Sequence, residues 1–123
     1  MSAAFPNVVY VGDSDAGHAL AAAAKARDWA VYVPAETLEA LGMTVTYCPD
    51  MVIIDMVARP TMAIEVYYHL RTMTGDPVRI LLIDRDDRQA RAGENVTVLP
   101  YGVSRRVLMA AVEAALRQTQ ATV

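Results

Sequence analysis

Three short, mostly apolar stretches organise the chain. Asn7-Val8-Val9-Tyr10-Val11-Gly12 runs into Asp13, Met51-Val52-Ile53-Ile54 runs into Asp55, and Val78-Arg79-Ile80-Leu81-Leu82-Ile83 runs into Asp84. Near-continuous apolar runs of this length, bounded by turn residues such as Pro49, predict strands buried on both faces. A carboxylate at the end of such a strand is costly unless a partner offsets it. The repetition therefore suggests an acidic pocket at one edge of a parallel sheet.

The segments between these runs read as helices and two further strands. Ser14 is placed to cap a helix over about residues 15–27, whose Ala19 to Ala24 are small enough to let it lie close on a sheet. Trp29-Ala30-Val31-Tyr32-Val33 is a second strand, stopped by Pro34. Residues 35–47 carry mixed signals: Glu36 to Leu41 favours helix, whereas Met43-Thr44-Val45-Thr46-Tyr47 alternates like a strand beyond Gly42. A helix fraying into Cys48-Pro49 is the reading adopted.

Thr61 to Thr72 forms a further helix with Ala63, Val66, Tyr67 and Leu70 at core spacing. Gly75-Asp76-Pro77 is a turn, and the polar stretch from Arg85 to Gly93 has room for about two helical turns. Val96-Thr97-Val98-Leu99-Pro100 is the fifth strand. Ser104 caps a last helix to about Gln118, with Val107, Leu108, Ala111, Val112, Ala115 and Leu116 as its buried stripe. Strands alternating with helices imply a doubly wound α/β parallel sheet. Its functional crevice should lie beyond the carboxyl ends of the strands, where Asp13, Asp55 and Asp84 end their runs.

Composition narrows the function. The chain of 123 residues reads as a single domain over 1–123 with no output domain. A content of 54% hydrophobic and 20% charged residues excludes disorder and fits a covered core. The net charge of −3, without a basic run, argues against nucleic acid as a partner of this chain alone. No apolar run is long enough to span a membrane, and no signal-peptide layout opens the chain. Cys48, the single cysteine, excludes an internal disulfide and points to a cytoplasmic setting; beside Pro49 it reads as a small packed residue. Lys25 is the only lysine. His18 and His69 each lack a second ligand at helical spacing, so neither reads as a metal ligand.

Neighbouring strands lie about 4.8 Å apart, and at an effective dielectric near 20 two unit charges about 4 Å apart repel by roughly 4 kcal/mol. Clustered carboxylates at strand ends therefore keep a proton or recruit a cation. Mg²⁺ suits such a set, and an aspartate beside it is a reasonable nucleophile for phosphoryl transfer.

On these residues the chain resembles the receiver domain of two-component response regulators over nearly its whole length. Pro49-Asp50-Met51-Val52-Ile53-Ile54-Asp55 is similar to that family's phosphoacceptor strand, and Val8-Val9-Tyr10-Val11-Gly12-Asp13 to its first strand with its acidic pair. Glu39-Ala40-Leu41 matches the start of its second helix, and Leu99-Pro100-Tyr101 falls on its lysine-proline-aromatic turn. The resemblance implies a flavodoxin-like (βα)5 fold with strand order 2-1-3-4-5. It makes Asp55 the phosphoacceptor and gives Mg²⁺ to Asp13, Asp55 and the Val57 carbonyl, with Asp15 as a further ligand.

The departures concern the working parts. Gly12 stands where the first acid of the pair is expected. Asp84 replaces the switch threonine or serine, Leu99 replaces the lysine ahead of Pro100, and Val96 holds the place of the aromatic switch. Asp84 reads either as a pocket ligand or as a solvated turn residue beside Arg85-Asp86-Asp87-Arg88. The segment between Asp84 and Val96 is short, which implies a shortened fourth helix. Losing the lysine removes roughly 1.5–3 kcal/mol from the phosphorylated state, and Asp84 adds repulsion against an incoming dianion. Lys25 is too far along its helix to substitute, whereas Arg59 and Arg85 lie in loops at the correct edge.

The expected function is a signalling module with a weakened phosphoryl switch, not an enzyme beyond self-phosphorylation. The resemblance implies a histidine kinase or phosphotransfer protein as partner, and the shortened helix would expose the fifth strand and Tyr101 for homodimerisation. A phosphorylation-independent pseudo-receiver is the alternative. Gly12-Asp13-Ser14-Asp15 is also similar to the Asp-x-Asp loop of haloacid-dehalogenase-like phosphatases, but no lysine follows Lys25, as that family requires. A flavin-binding flavodoxin is disfavoured by the acidic first loop.

Overall fold

Each apolar run becomes a parallel strand, and the side-chain alternation along the strands sorts the core into two layers. The computed structural model describes residues 6–72, 78–85 and 95–121. The strands are β1 (Asn7–Val11), β2 (Ala30–Tyr32), β3 (Met51–Asp55), β4 (Arg79–Asp84) and β5 (Val96–Pro100). They pair all-parallel in the order β2-β1-β3-β4-β5. Among the described residues the helices are α1 (Ser14–Ala24), α2 (Thr37–Tyr47), α3 (Pro60–Thr72) and α4 (Arg105–Ala121), with a short 3-10 turn at Lys25–Arg27. The expected turn at Gly75 and the expected short helix after Arg85 lie outside the described residues.

On one face of the sheet Val9, Val11, Val52, Ile54, Ile80, Leu82 and Val96 pack against α2 and α3 through Ala40, Met62, Ala63 and Val66. On the other, Val8, Tyr10, Met51, Ile53, Leu81 and Ile83 pack against α1 and α4 through Leu20, Met109, Val112 and Leu116. Each strand sends successive side chains to opposite faces. Asp50 fastens the entry edge of the sheet, its carboxylate accepting from the Asn7 N–H at 2.8 Å.

Local chemistry sets the element ends and corrects several expectations. Asp13, not Ser14, caps α1: it keeps an extended backbone and its Oδ1 accepts the Asp15 N–H at 3.1 Å, so Ser14 becomes the first helical residue. Residues 37–47 form one helix through Gly42. Its start is held by Glu39, whose carboxylate accepts the Ala35 N–H, and buried Thr44 donates its hydroxyl to the Ala40 carbonyl at 2.9 Å. Pro60 opens α3, where its missing N–H costs nothing. Ser104 caps α4 as expected, accepting from the Val107 N–H at 3.2 Å. The stripe of α4 is rotated from the expected one: Val107 is exposed and Met109 takes the core position. Cys48 is exposed, not packed, because it occupies the left-handed turn (φ 45°) that ends α2.

Candidate functional site

The carboxyl edge of the sheet holds Asp13 at the entrance to α1 and Asp55 at the end of β3. Asp55 belongs by alternation with Met51 and Ile53, so it faces α1 and α4. It is only 4% exposed. Its Oδ1 accepts the N–H groups of Val57 at 2.8 Å and Ala58 at 3.1 Å, a backbone cradle that holds the carboxylate in one orientation. Its other oxygen accepts no hydrogen bond among the described residues, and no buried polar side-chain atom there is left unpartnered. That oxygen therefore borders the cleft.

The cleft has a volume of about 330 Å³ and lies between α1 and α4. Asp13, Asp55 and Tyr10 line one end of it, with Leu20, Ile83 and Leu108 among its apolar walls and Arg105 and Tyr101 also on its lining. Asp84 is not part of it. By strand alternation Asp84 continues the series Ile80 and Leu82, which points to the α2–α3 side. Its Oδ1 accepts from the Arg85 N–H and its carbonyl from the Tyr101 N–H, each at 2.7 Å. Asp15 is exposed in the first turn of α1 and also lies off the lining. The carboxyl edge thus brings two of the candidate carboxylates together on one cleft, and among the described residues no group of three or more His, Cys, Asp or Glu is placed to hold an ion.

Gly12 explains the missing acid. It adopts φ +154°, and a Cβ there would stand 2.6 Å from the Asp55 Cβ. Tyr10, which the sequence reading passed over as a strand residue, fills the space on the α1–α4 side. One edge of its ring runs between two glycines: a Cβ on Gly12 would lie 3.4 Å from its Cε1, and one on Gly17 2.9 Å from its Cδ1. The residue is 2% exposed. Burial first, then the Asp55 and Asp13 carboxylates, hold its phenol well above the ordinary tyrosine range, so it stays a neutral donor.

No protein-family model and no curated protein matches the sequence. Solved structures match in shape. The signal receiver domain of a Luxo repressor protein from Vibrio parahaemolyticus superposes with a TM-score of 0.78 at 14% identity, over 97% of this chain and 95% of that one. A response regulator receiver protein from Burkholderia phymatum gives 0.68 at 26% identity, over 90% and 94%. This is the response-regulator receiver fold. The BeF3-activated receiver domain of RstA from Klebsiella pneumoniae shares it, with a TM-score of 0.69 at 22% identity over 90% of this chain and 98% of that one.

Within this receiver fold the positions that depart from the family pattern have structural occupations. Leu99 packs into the α1–α4 layer with Tyr10, and Val96 is buried in the opposite layer, where a valine has no swinging ring. Lys25 lies beyond the far end of α1. Arg59 donates to the Ala35 carbonyl at 2.7 Å, and Arg85 stands over the Tyr101 ring at 5.8 Å. Among the described residues the cation that reaches the cleft lining is Arg105, at the start of α4. Sequence reasoning missed it, although Ser104-Arg105-Arg106 puts two arginines at a helix start that the topology aims at the carboxyl edge. Tyr10 also left a signal, as an aromatic hydroxyl two residues before Gly12 in an otherwise aliphatic strand.

Proposed function

We propose that the chain works as a single receiver-type domain in a two-component phosphorelay, with Asp55 as phosphoacceptor and a weakened phosphoryl switch. The observation that carries this reading is the Asp55 carboxylate: buried, held at Oδ1 by two backbone N–H groups, and open to the cleft at its other oxygen. In transfer from a phosphohistidine or a small acyl phosphate, that oxygen forms the new bond to phosphorus. The bond from phosphorus to the donor breaks, and its electron pair leaves with the donor.

The two carboxylates on the cleft suit Mg²⁺, which takes one or two carboxylates and keeps several waters. Asp13, Asp55 and the Val57 carbonyl would hold it, with Asp15 an outer candidate. Bound there, it would supply neutralising charge for the transferred phosphoryl oxygens. The chain's own groups orient the nucleophile and exclude water from the apolar side of the cleft. Leu99, Val96 and Asp84 give the phosphoryl group little differential hold on the alternative conformations, so its leverage on the switch is small. Docking on a histidine kinase or phosphotransfer protein, and self-association along the β5 edge beside exposed Tyr101, complete the proposal. None of the helices among the described residues is long and apolar enough to cross a membrane, which is compatible with a cytoplasmic place for such a partner.

Incubation with acetyl phosphate and Mg²⁺ followed by intact-mass measurement tests the reading. The expected result is a one-phosphoryl adduct in the wild type and none in Asp55→Asn. An unmodified, folded wild type would instead support the phosphorylation-independent interaction module, and steady phosphate release dependent on Asp13 would support a phosphatase.

A further inference from the structure

The cleft contains more than a phosphoacceptor needs. One end gathers three oxygen-bearing groups, Asp13, Asp55 and Tyr10, and two of them are almost wholly buried. The Tyr10 hydroxyl has no hydrogen-bond partner among the described residues and is not sealed in the interior, so it too ends at the cleft. Its position is fixed by the ring's fit between Gly12 and Gly17. The remaining lining is chiefly apolar, with Ala16, Ala19 and Leu20 on α1, Leu108 on α4, Ile83 on β4, and Ala58 and Val103 in the loops after β3 and β5. The alanines of α1 leave the space between the helices unfilled. A volume of about 330 Å³ with an apolar body and a few converging polar groups is the form of a small-molecule site.

Charge decides the class of ligand. Among the described residues the lining carries two carboxylates and one guanidinium, that of Arg105, so the occupant brings positive charge. A hydrated metal ion uses the polar end alone, because its waters find no partners along Leu20 and Leu108. An organic cation uses both ends. We propose that the cleft between α1 and α4 binds a small amphiphilic ammonium compound, its head against Asp55, Asp13 and the Tyr10 hydroxyl and its apolar body between Leu20 and Leu108. The site does not depend on the phosphoryl reading, since a carboxylate pair holds an ammonium whether or not Asp55 accepts phosphate. It would give the domain a ligand input where the phosphoryl input is weak.

Isothermal titration of the full chain with phenethylammonium, phenethyl alcohol and hydrocinnamate, with and without Mg²⁺, tests the proposal. The ammonium compound should bind saturably with one site, the alcohol and the carboxylate at least about tenfold more weakly, and Mg²⁺ should compete. Asp55→Asn should weaken ammonium binding about tenfold. Should that variant lose its circular-dichroism signature, Asp13→Asn replaces it, because asparagine caps a helix as well as aspartate. Ala19→Leu fills the apolar part and should abolish ammonium binding while leaving Mg²⁺ binding unchanged. The proposal is overturned if no probe saturates, if the alcohol binds as tightly as the ammonium, or if Ala19→Leu binds phenethylammonium like the wild type. A failed acetyl-phosphate reaction alongside selective ammonium binding removes the phosphoacceptor reading alone.

Discussion

The backbone of Gly12 lies so close to Asp55 that a Cβ on the glycine would meet the Asp55 Cβ at 2.6 Å. The first position of the acidic pair is therefore closed by contact with the residue it would serve. Gly12 also sits at φ +154°, which side-chain-bearing residues rarely adopt. Gly12→Ala is expected to lower stability by about 1–3 kcal/mol in urea denaturation. Gly12→Asp should lose a similar amount and gain no Mg²⁺ affinity by titration, and a gain would show that the edge can open.

Asp55 has a structural share in its own loop. Asparagine keeps the oxygen that accepts from Val57 and Ala58, whereas alanine leaves both N–H groups without that partner. Asp55→Ala is expected to be less stable than Asp55→Asn by about 1–3 kcal/mol, measured from paired urea curves. Equal midpoints would mean that water replaces the carboxylate without loss.

Two helical glycines should respond in opposite directions to alanine. At Gly42 in α2 a Cβ meets nothing within 4 Å, so Gly42→Ala is expected to raise stability by about 0.5–1 kcal/mol through helix propensity. At Gly17 in α1 a Cβ would lie 2.7 Å from Val33 Cγ1 and 2.9 Å from Tyr10 Cδ1. Gly17→Ala is expected to cost about 1–3 kcal/mol by overpacking. Thermal melts of the two variants check the contrast.

Tyr10 supplies an alkaline limit. Its folded-state phenol holds its proton above the ordinary value because of burial and then the Asp55 and Asp13 carboxylates. Above a pH of about 10 the unfolded chain releases a proton that the folded chain keeps, so stability falls as pH rises. Urea midpoints should decline through that range in the wild type and decline less steeply in Tyr10→Phe.

Glu113 supplies a smaller acid-side effect. Hydrogen bonds from Arg27 at 3.0 Å and Arg117 at 2.8 Å lower its carboxyl below the usual range. Its contribution is present above the ordinary carboxylate value and is lost as pH falls through the lowered one. The pair is exposed, so the effect is slight and screened by salt. The stability difference between wild type and Glu113→Gln should shrink on acidification and with added salt.

The strands and the place of Asp55 were legible because buried parallel strands are written as apolar runs and the turn residues bound them, whereas the strand order was implied by the resemblance to receiver domains. Residues 37–47 were harder, since the local alternation of Met43 to Tyr47 competes with a helix that wins by burying Thr44 and Ala40. The stripe of α4 was set by how that helix rolls on the sheet, which exposes Val107 and buries Met109.

By itself the sequence determined which segments become strands and that each central apolar run leads into a carboxylate. Only the tertiary structure decided which of those carboxylates share a cleft. Strand alternation sets Asp55 toward α1 and α4 and Asp84 toward α2 and α3, while parallel register pairs Tyr10 with Ile53 and so puts its ring on the same face as Asp55. Side-chain direction follows a two-residue period that a single shift inverts, and the phase between strands is set by pairing rather than by any one strand's residues. The close approach of α1 over Gly17, and of Gly12 onto Asp55, is likewise a property of packed surfaces that no local pattern records.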